Sequence, residues 1–284
     1  MIPTIHPDSH MGRVHLTVRD LARSLAYYQQ HLGLSLLSEQ PGRVVLGAGR
    51  TELLVLTALP DARRVGRVTG LYHFALLLPS RYELARTLRH LLTTSTPISG
   101  ASDHAVSEAL YLTDPDGHGI EIYRDRPRDE WGFPDGRLKM TVEPFDGDGV
   151  LRELNGMEPP WTGIHPATVM GHVHLHVAFL PQAEAFYREV VGLAVMARYG
   201  SRASFVSAGG YHHHLGLNTW AGVGAPPPPS DAARLLWFEL VVGDSAELSS
   251  LLDRLRAAGY TPVAAENGYL VRDPSANGIL LTGV

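Results

Sequence analysis

The chain reads as an α+β fold of four βαβββ modules that pair into two half-barrels. Three observations predict it: a repeated strand-then-helix segment, a looser copy of that segment in each half, and matching turns that follow the looser copies. VHLTVRDLARSLAYYQQHLGL at 14–34 reappears as VHLHVAFLPQAEAFYREVVGL at 173–193. Both open with period-two alternation, the pattern of a half-buried strand. Both then pass to helical spacing, at Leu21, Leu25, Tyr28 and Leu32 and at Leu180, Ala183, Phe186 and Val190, and stop at Gly33 or Gly192. The looser copies are YHFALLLPSRYELARTLRHLL (72–92) and WFELVVGDSAELSSLLDRLRAAG (237–259). Short strands and the turn-bearing pieces LTDPDGHGIEI (112–122) and VRDPSANGILL (271–281) follow them. Asp-Pro-Asp-Gly and Asp-Pro-Ser-Ala have the chemistry of a turn feeding a final strand.

The modules fall near 12–57, 71–126, 171–222 and 235–284. Residues 125–168 are rich in Pro, Gly and Asp with weak periodicity, and read as a long connection. Residues 226–229, four prolines, are a stiff spacer between the third and fourth modules. The expected organisation is an N-terminal domain over 1–126, a connecting segment over 127–168 and a C-terminal domain over 169–284. A module with one curved sheet and one helix cannot bury both faces of its sheet, so pairing of modules is expected. The Gly-rich pieces at 47–49 and 209–210 do not match a nucleotide-binding fingerprint and read as hairpin turns.

Composition narrows the chemistry. A formal net charge of −5 and a pI near 6.3 argue against a polyanion partner, and no basic stripe points to nucleic acid. The longest apolar run, around 71–78, is too short to span a bilayer, and the first ten residues do not read as a secretory signal. A cytoplasmic enzyme is the expectation, with oligomeric state left open, a homo-oligomer included. There is no cysteine, which leaves histidine and carboxylates as the strong metal ligands. Fifteen histidines are distributed unevenly. His73, Glu121 and His172 sit at strand positions where two imidazoles and one carboxylate could converge, a set that holds iron(II) on one face.

The pieces GLYHFALLLPS, DHAVSEALYLTDPDGHGIEIY, GHVHLHV and YHHHLGLNTW, together with the four-module layout, resemble the vicinal oxygen chelate superfamily. That group includes glyoxalase I, bleomycin and fosfomycin resistance proteins and type I extradiol dioxygenases. More narrowly, the chain is similar to catechol-2,3-dioxygenase-like proteins. The resemblance covers the chain outside the 125–168 connection. It implies metal ligands near the start of a module's first strand and on its last strand. The first-strand positions are then Arg13, His73, His172 and Trp237 in the four modules; the last-strand carboxylate position is Glu121 in the second and Leu280 in the fourth. Only the second and third modules offer ligands, so these two are expected to pair around the metal, and the first and fourth to pair into an inert half.

The resemblance also implies His104 and Tyr111, in H-x-x-x-x-x-x-Y-x-x-D-P-x-G, as residues that orient the site and hydrogen-bond substrate. The acid–base group is expected from YHHHLGLN: His214, with His212 as the alternate and His213 facing the other way. The implied cofactor is Fe(II), with Mn(II) also suited to the ligands; the implied partners are a small aromatic diol and dioxygen. A two-residue register slip would make His174 the ligand in place of His172. His15 reads as structural and His118 as a solvated turn residue. Two rival functions fit the superfamily. A glyoxalase-type isomerase or lyase would carry a second carboxylate where this chain has His214 and Asn218. A metal-free drug-binding protein would not need the triad.

Overall fold

The computed structural model describes residues 2–156 and 158–283. Each expected module is present as strand, helix and three strands. The first comprises β1 (His10–Val18), α1 (Leu21–Gln30), β2 (Ser35–Gln40), β3 (Arg43–Ala48) and β4 (Thr51–Ala58); the second comprises β5 (Gly70–Leu78), α2 (Arg81–Thr93), β6 (Gly100–Asp103), β7 (Ser107–Thr113) and β8 (Gly119–Asp125). A short α3 (Gly147–Leu151) lies in the connection. The third module comprises β9 (Val169–His176), α4 (Leu180–Ala185), β10 (Ala194–Tyr199), β11 (Ala203–Ser207) and β12 (Leu215–Asn218). The fourth comprises β13 (Leu235–Val242), α5 (Ser245–Ala257), β14 (Val263–Ala265), β15 (Gly268–Arg272) and β16 (Gly278–Gly283).

The strands hydrogen-bond into two eight-stranded sheets, β14-β15-β16-β13-β1-β4-β3-β2 and β10-β11-β12-β9-β5-β8-β7-β6. One sheet thus draws on the first and fourth modules, the other on the second and third. In modules two, three and four the first strand runs parallel to the last, β5 with β8, β9 with β12 and β13 with β16. A parallel pair needs a crossover, and the helix plus the two middle strands supply it. By contact density the chain divides into two compact units: one holds 18–61 and 73–170, the other the residues up to Thr17, 62–72 and those from Gly171 onward.

In the first unit, Asp20 caps α1 by accepting from the Arg23 N–H, and Ser80 caps α2 by accepting from the Glu83 N–H. The α2 face of Leu84, Ala85, Leu88 and Leu91 is buried. The Asp-Pro-Asp-Gly turn is bound to α1. Asp114 Oδ1 accepts from the backbone N–H groups of Asp116 and His118, and its Oδ2 accepts from the Tyr28 hydroxyl at 2.9 Å. Arg23 pairs with Asp116 at 2.6 Å. Burial, reinforced by the Asp114 charge, pushes the Tyr28 phenol well above its ordinary pKa. His118 is buried in this turn rather than solvated, because the turn that Asp114 closes folds the residue inward.

The connection is pinned along its length. Glu143 pairs with Asp103 as an antiparallel bridge, and Trp161 stacks on His90 with ring centroids 4.4 Å apart. Arg89 holds Glu158 at 2.7 Å, and the Ile164 N–H donates to the Gly33 carbonyl.

The second unit repeats the turn device. Asp273 Oδ1 accepts from Ser275 and Asn277 N–H, and Oδ2 accepts from the Tyr187 hydroxyl at 3.0 Å. The helix that carries Tyr187 runs from α4 into a π turn over Phe186–Val191 and ends at Gly192, whose φ of 98° is the left-handed conformation that glycine adopts freely. A side chain there would also meet the backbone of Ile5. Among the described residues no helix is long and apolar enough to cross a membrane.

Candidate metal centre

On β5 and β8 the pairing sets Glu121 opposite Ala75, and on β7 and β8 it sets Glu121 opposite Tyr111. The small Ala75 and Ala109 pack with Tyr123, Leu77 and Tyr111. His73 Nε2 lies 3.0 Å from Glu121 Oε2, both side chains being buried. A carboxylate so far from water needs a cation or several donors to hold its charge.

Beyond this pair stands a hydrogen-bonded relay. Tyr111 Oη is 2.7 Å from His104 Nε2, and His104 Nδ1 is 2.7 Å from the Thr141 carbonyl oxygen. A carbonyl only accepts, so His104 Nδ1 carries the proton; Nε2 of the neutral ring then accepts, and the Tyr111 hydroxyl donates. The Thr141 N–H returns a bond to the His104 carbonyl. The connecting segment therefore sets the tautomer of His104, a role that its composition did not announce.

On β9, alternation sends Val173 and Leu175 to one side and His172, His174 and His176 to the other. His172 is 1% exposed, and its ring lies 4.1 Å from that of His213 and 6.1 Å from that of His212. The sequence expectation that His213 faces away is corrected here. Strand β12 begins at Leu215, so residues 212–214 form a bend, where alternation does not apply. His212 Nδ1 and His213 Nδ1 are 2.7 Å apart, one donating and the other accepting. His214 Nδ1 accepts from the Ala208 N–H at 3.2 Å and lies 2.9 Å from Ser207 Oγ, so its neutral ring carries its proton on Nε2.

Among the described residues, His73 and Glu121 in one unit and His172 in the other, all three buried, are a group that could hold a metal ion. His174, the register alternative, instead packs against Phe205 and Trp220 and covers Gly216, where an added Cβ would come within 2.7 Å of its ring.

Comparison with known proteins identifies the family. Residues 10–122 match the Glyoxalase/Bleomycin resistance protein/Dioxygenase superfamily. A catechol-2,3-dioxygenase from Bacillus subtilis (strain 168) is 45% identical over 276 residues, 95% of this chain and 96% of that protein. The chain belongs to this superfamily. The full-length relative places it among the superfamily's dioxygenases, as an enzyme. The fold is also that of a Bacillus subtilis protein put forward as a dioxygenase (TM-score 0.68, 13% identity, 99% of this chain and 86% of that one). Glyoxalase I from Zea mays shares it as well (TM-score 0.59, 14% identity, 97% and 92%).

Proposed function

We propose that the chain is an iron(II)-dependent extradiol dioxygenase that opens catechol-like rings beside, not between, the two hydroxyls. His73, Glu121 and His172 would hold the metal. Manganese(II) accepts the same donors and is the alternative metal. The observation that carries the reading is a candidate ligand set of two imidazoles and one carboxylate, all buried, in a chain 45% identical to a catechol-2,3-dioxygenase. The donor set fits: two neutral imidazoles and one carboxylate carry one negative charge, and three donors would leave positions for other ligands.

When bound, the ion would supply chelation of both diol oxygens, a position for dioxygen and a lowered hydroxyl pKa. The residues around it do the rest. Tyr111, its proton committed to His104 Nε2, offers its oxygen as an acceptor toward a substrate hydroxyl. His104, fixed by the Thr141 carbonyl, keeps that polarity. Proton transfer belongs to the 212–214 bend. His214 is the proposed acid–base group: with its Nδ1 held by the Ala208 N–H, Nε2 is the nitrogen left to hold or move a proton. His212 is the alternate, and it shares a proton with His213 through their Nδ1 atoms. The reaction would take place in the cytoplasm on a small aromatic diol.

The test is elemental analysis of anaerobically prepared protein, coupled to ring-opening assays with catechol. The expected result is near-stoichiometric iron or manganese and a yellow ring-opened product, both lost in His73→Ala. Protein that holds neither metal after reconstitution and opens no catechol would sink the proposal.

A further inference from the structure

The loop that carries His104, between β6 and β7, takes a conformation that its own residues do not favour. Ala105 has a φ of 64°, the left-handed region in which a Cβ crowds the carbonyl that follows. Glycine is the ordinary residue there, and an alanine stays only where its surroundings hold it. Asp103 does the holding: its Oδ1 accepts from the Ala105 N–H at 2.8 Å, the turn that an aspartate makes with the backbone two residues on. The His104 N–H closes the loop by donating to the Ser107 carbonyl at 2.8 Å.

Arg126 grips the same loop twice. Its Nη2 donates to Asp103 Oδ2 at 2.5 Å, and its backbone N–H donates to the Val106 carbonyl at 2.8 Å. The Arg126 carbonyl in turn accepts from the Trp131 indole N–H at 3.0 Å. Arg126 directly follows β8, the strand that carries Glu121. Asp103 also acts through its backbone, which exchanges hydrogen bonds with Glu143 at 3.0 and 2.9 Å and so sets the segment from which Thr141 reaches His104 Nδ1. Burial would raise the Asp103 carboxyl, but the hydrogen bonds from Arg126 and the Ala105 N–H bring it below its ordinary value. The pair is therefore ionised at neutral pH.

We infer that Asp103 and Arg126 are a positioning pair for His104: the aspartate fixes the turn and the connecting segment on either side of the imidazole, and the arginine locks the aspartate to the end of β8. The inference rests on the role proposed for His104 and Tyr111, and adds two residues that are neither proposed ligands nor proposed substrate contacts. The 2.7 Å bonds of His104 to Tyr111 and to Thr141 depend on angle as well as distance, so a loop free to shift would loosen both. Arg81 provides the contrast. It belongs to the neighbouring charge network, where it bonds to Glu108, Glu153 and the Gly149 carbonyl.

The experiment reads His104 by nitrogen-15 NMR of the metal-free protein and by kcat and KM for catechol opening by the iron-loaded enzyme. Wild type should show one tautomer, with the proton on Nδ1. Asp103→Ala and Arg126→Met should each show a mixture of tautomers. Each should also lower kcat by about tenfold, the low end of the cost of losing an outer partner, with KM little changed. Arg126→Lys, which keeps a cation for Asp103, should restore the single tautomer and most of kcat. Arg81→Met should lower the urea midpoint and leave the His104 signal and kcat as in wild type. Circular dichroism checks folding; Asp103→Asn, which keeps an acceptor for the Ala105 N–H but not the charge that Arg126 meets, replaces an alanine variant that does not fold and should show the same mixture. A single Nδ1–H tautomer in both Asp103→Ala and Arg126→Met would overturn the pair. An equal disturbance in Arg81→Met would also overturn it, because the effect would then be one of general stability. Mixed tautomers with kcat unchanged would keep the pair and overturn the role proposed for His104. The same NMR pattern in an enzyme that opens no catechol would keep the pair and overturn the reaction.

Discussion

The first strands of the paired modules carry opposite solutions to one problem. On β1 and β13 the matched positions hold Arg13 and Trp237; on β9 and β5 they hold His172 and His73. Each sheet also buries a carboxylate nearby. In the first case Arg13 answers it. Glu239 Oε2 accepts from Arg13 Nε at 2.8 Å and from the Arg13 backbone N–H at 3.0 Å, while Oε1 accepts from the Thr282 hydroxyl. The guanidinium lies over Trp237, and Gly12 leaves the space that Glu239 fills. In the second case Glu121 faces His73, which is charged only when protonated. A carboxylate neutralised by the chain's own arginine makes a finished core. One faced by an imidazole suits a cation, the role proposed above. The strand framework is shared, and the identity of one basic residue separates the proposed inert half from the proposed reactive one.

The largest effect should come from breaking the reactive half. Loss of an outer partner of a metal ligand costs about 10–100-fold, so Glu121→Gln, which removes the ligand charge itself, should lower ring opening by more than about 100-fold. Bound metal should fall in parallel. The metal-free variant should be at least as resistant to urea as metal-free wild type, because a buried charge has been removed. Wild-type metal content in Glu121→Gln would mean that Glu121 is not the counterpart of Glu239 drawn above.

Breaking the inert half should leave chemistry alone and reduce stability. Arg13→Met strands Glu239 among buried groups, and losing one partner of such a pair costs about 3–5 kcal/mol. Urea unfolding measures it. Arg13→Met combined with Glu239→Met should recover most of the loss, since the pair removed whole leaves no orphan charge. Metal content should stay at the wild-type value in both. A drop in bound metal would show that the two halves are not independent.

Much of this contrast was legible in the sequence. The 159-residue offset that aligns Gly33 with Gly192 also aligns Arg13 with His172 and Tyr28 with Tyr187. It set out the modules and the proposed ligand positions, and the tyrosine pair was a visible sign of the helix-to-turn clamps, though a helical tyrosine on an apolar face reads equally well as plain core. Three things were not legible. The 212–214 bend depends on where β12 starts, and a one-residue shift reverses every face assignment. The burial of His118 follows from hydrogen bonds inside its turn, which composition describes only as polar. The hold of Thr141 on His104 is a backbone contact, and backbone carbonyls leave no trace in residue type.

That last contact gives a smaller and sharper test of how the reactive half is held. Nitrogen-15 NMR should find His104 in the Nδ1–H tautomer, and the same tautomer should persist in Tyr111→Phe, because Thr141 rather than Tyr111 sets it. Tyr111→Phe should still lower ring opening by about 10–100-fold, the usual cost of losing a group one step outside the metal ligands. An Nε2–H signal in wild type would reverse the donor direction argued for Tyr111.

The smallest expected effect compares the two Asp-Pro turns. Asp114 and Asp273 accept alike from backbone and tyrosine; Asp273 Oδ2 also accepts from the Asn277 side-chain N–H, and burial pushes the Asp273 carboxyl above its ordinary value, against the pull of hydrogen bonds from Asn277, Ser275 and Tyr187. A carboxyl whose folded pKa exceeds its unfolded pKa, about 3.9, binds its proton more tightly in the folded protein. Its contribution to stability is therefore fully present below the unfolded value and is lost as pH rises through the folded one. Glu108 works in the opposite sense: burial would raise it, but hydrogen bonds from Arg81 and Arg124 bring it below its ordinary value, so its contribution is lost only as pH falls through acid. Above about pH 5 both folded and unfolded forms of Glu108 are ionised, and His31, whose pKa burial lowers, adds the same slope to both proteins, so the difference between wild type and Asp273→Asn is assigned to Asp273. Urea midpoints between pH 5 and 8 should fall more steeply in wild type than in Asp273→Asn, whose side chain does not titrate. Parallel slopes would mean that Asp273 binds its proton no more tightly in the folded protein than in the unfolded one.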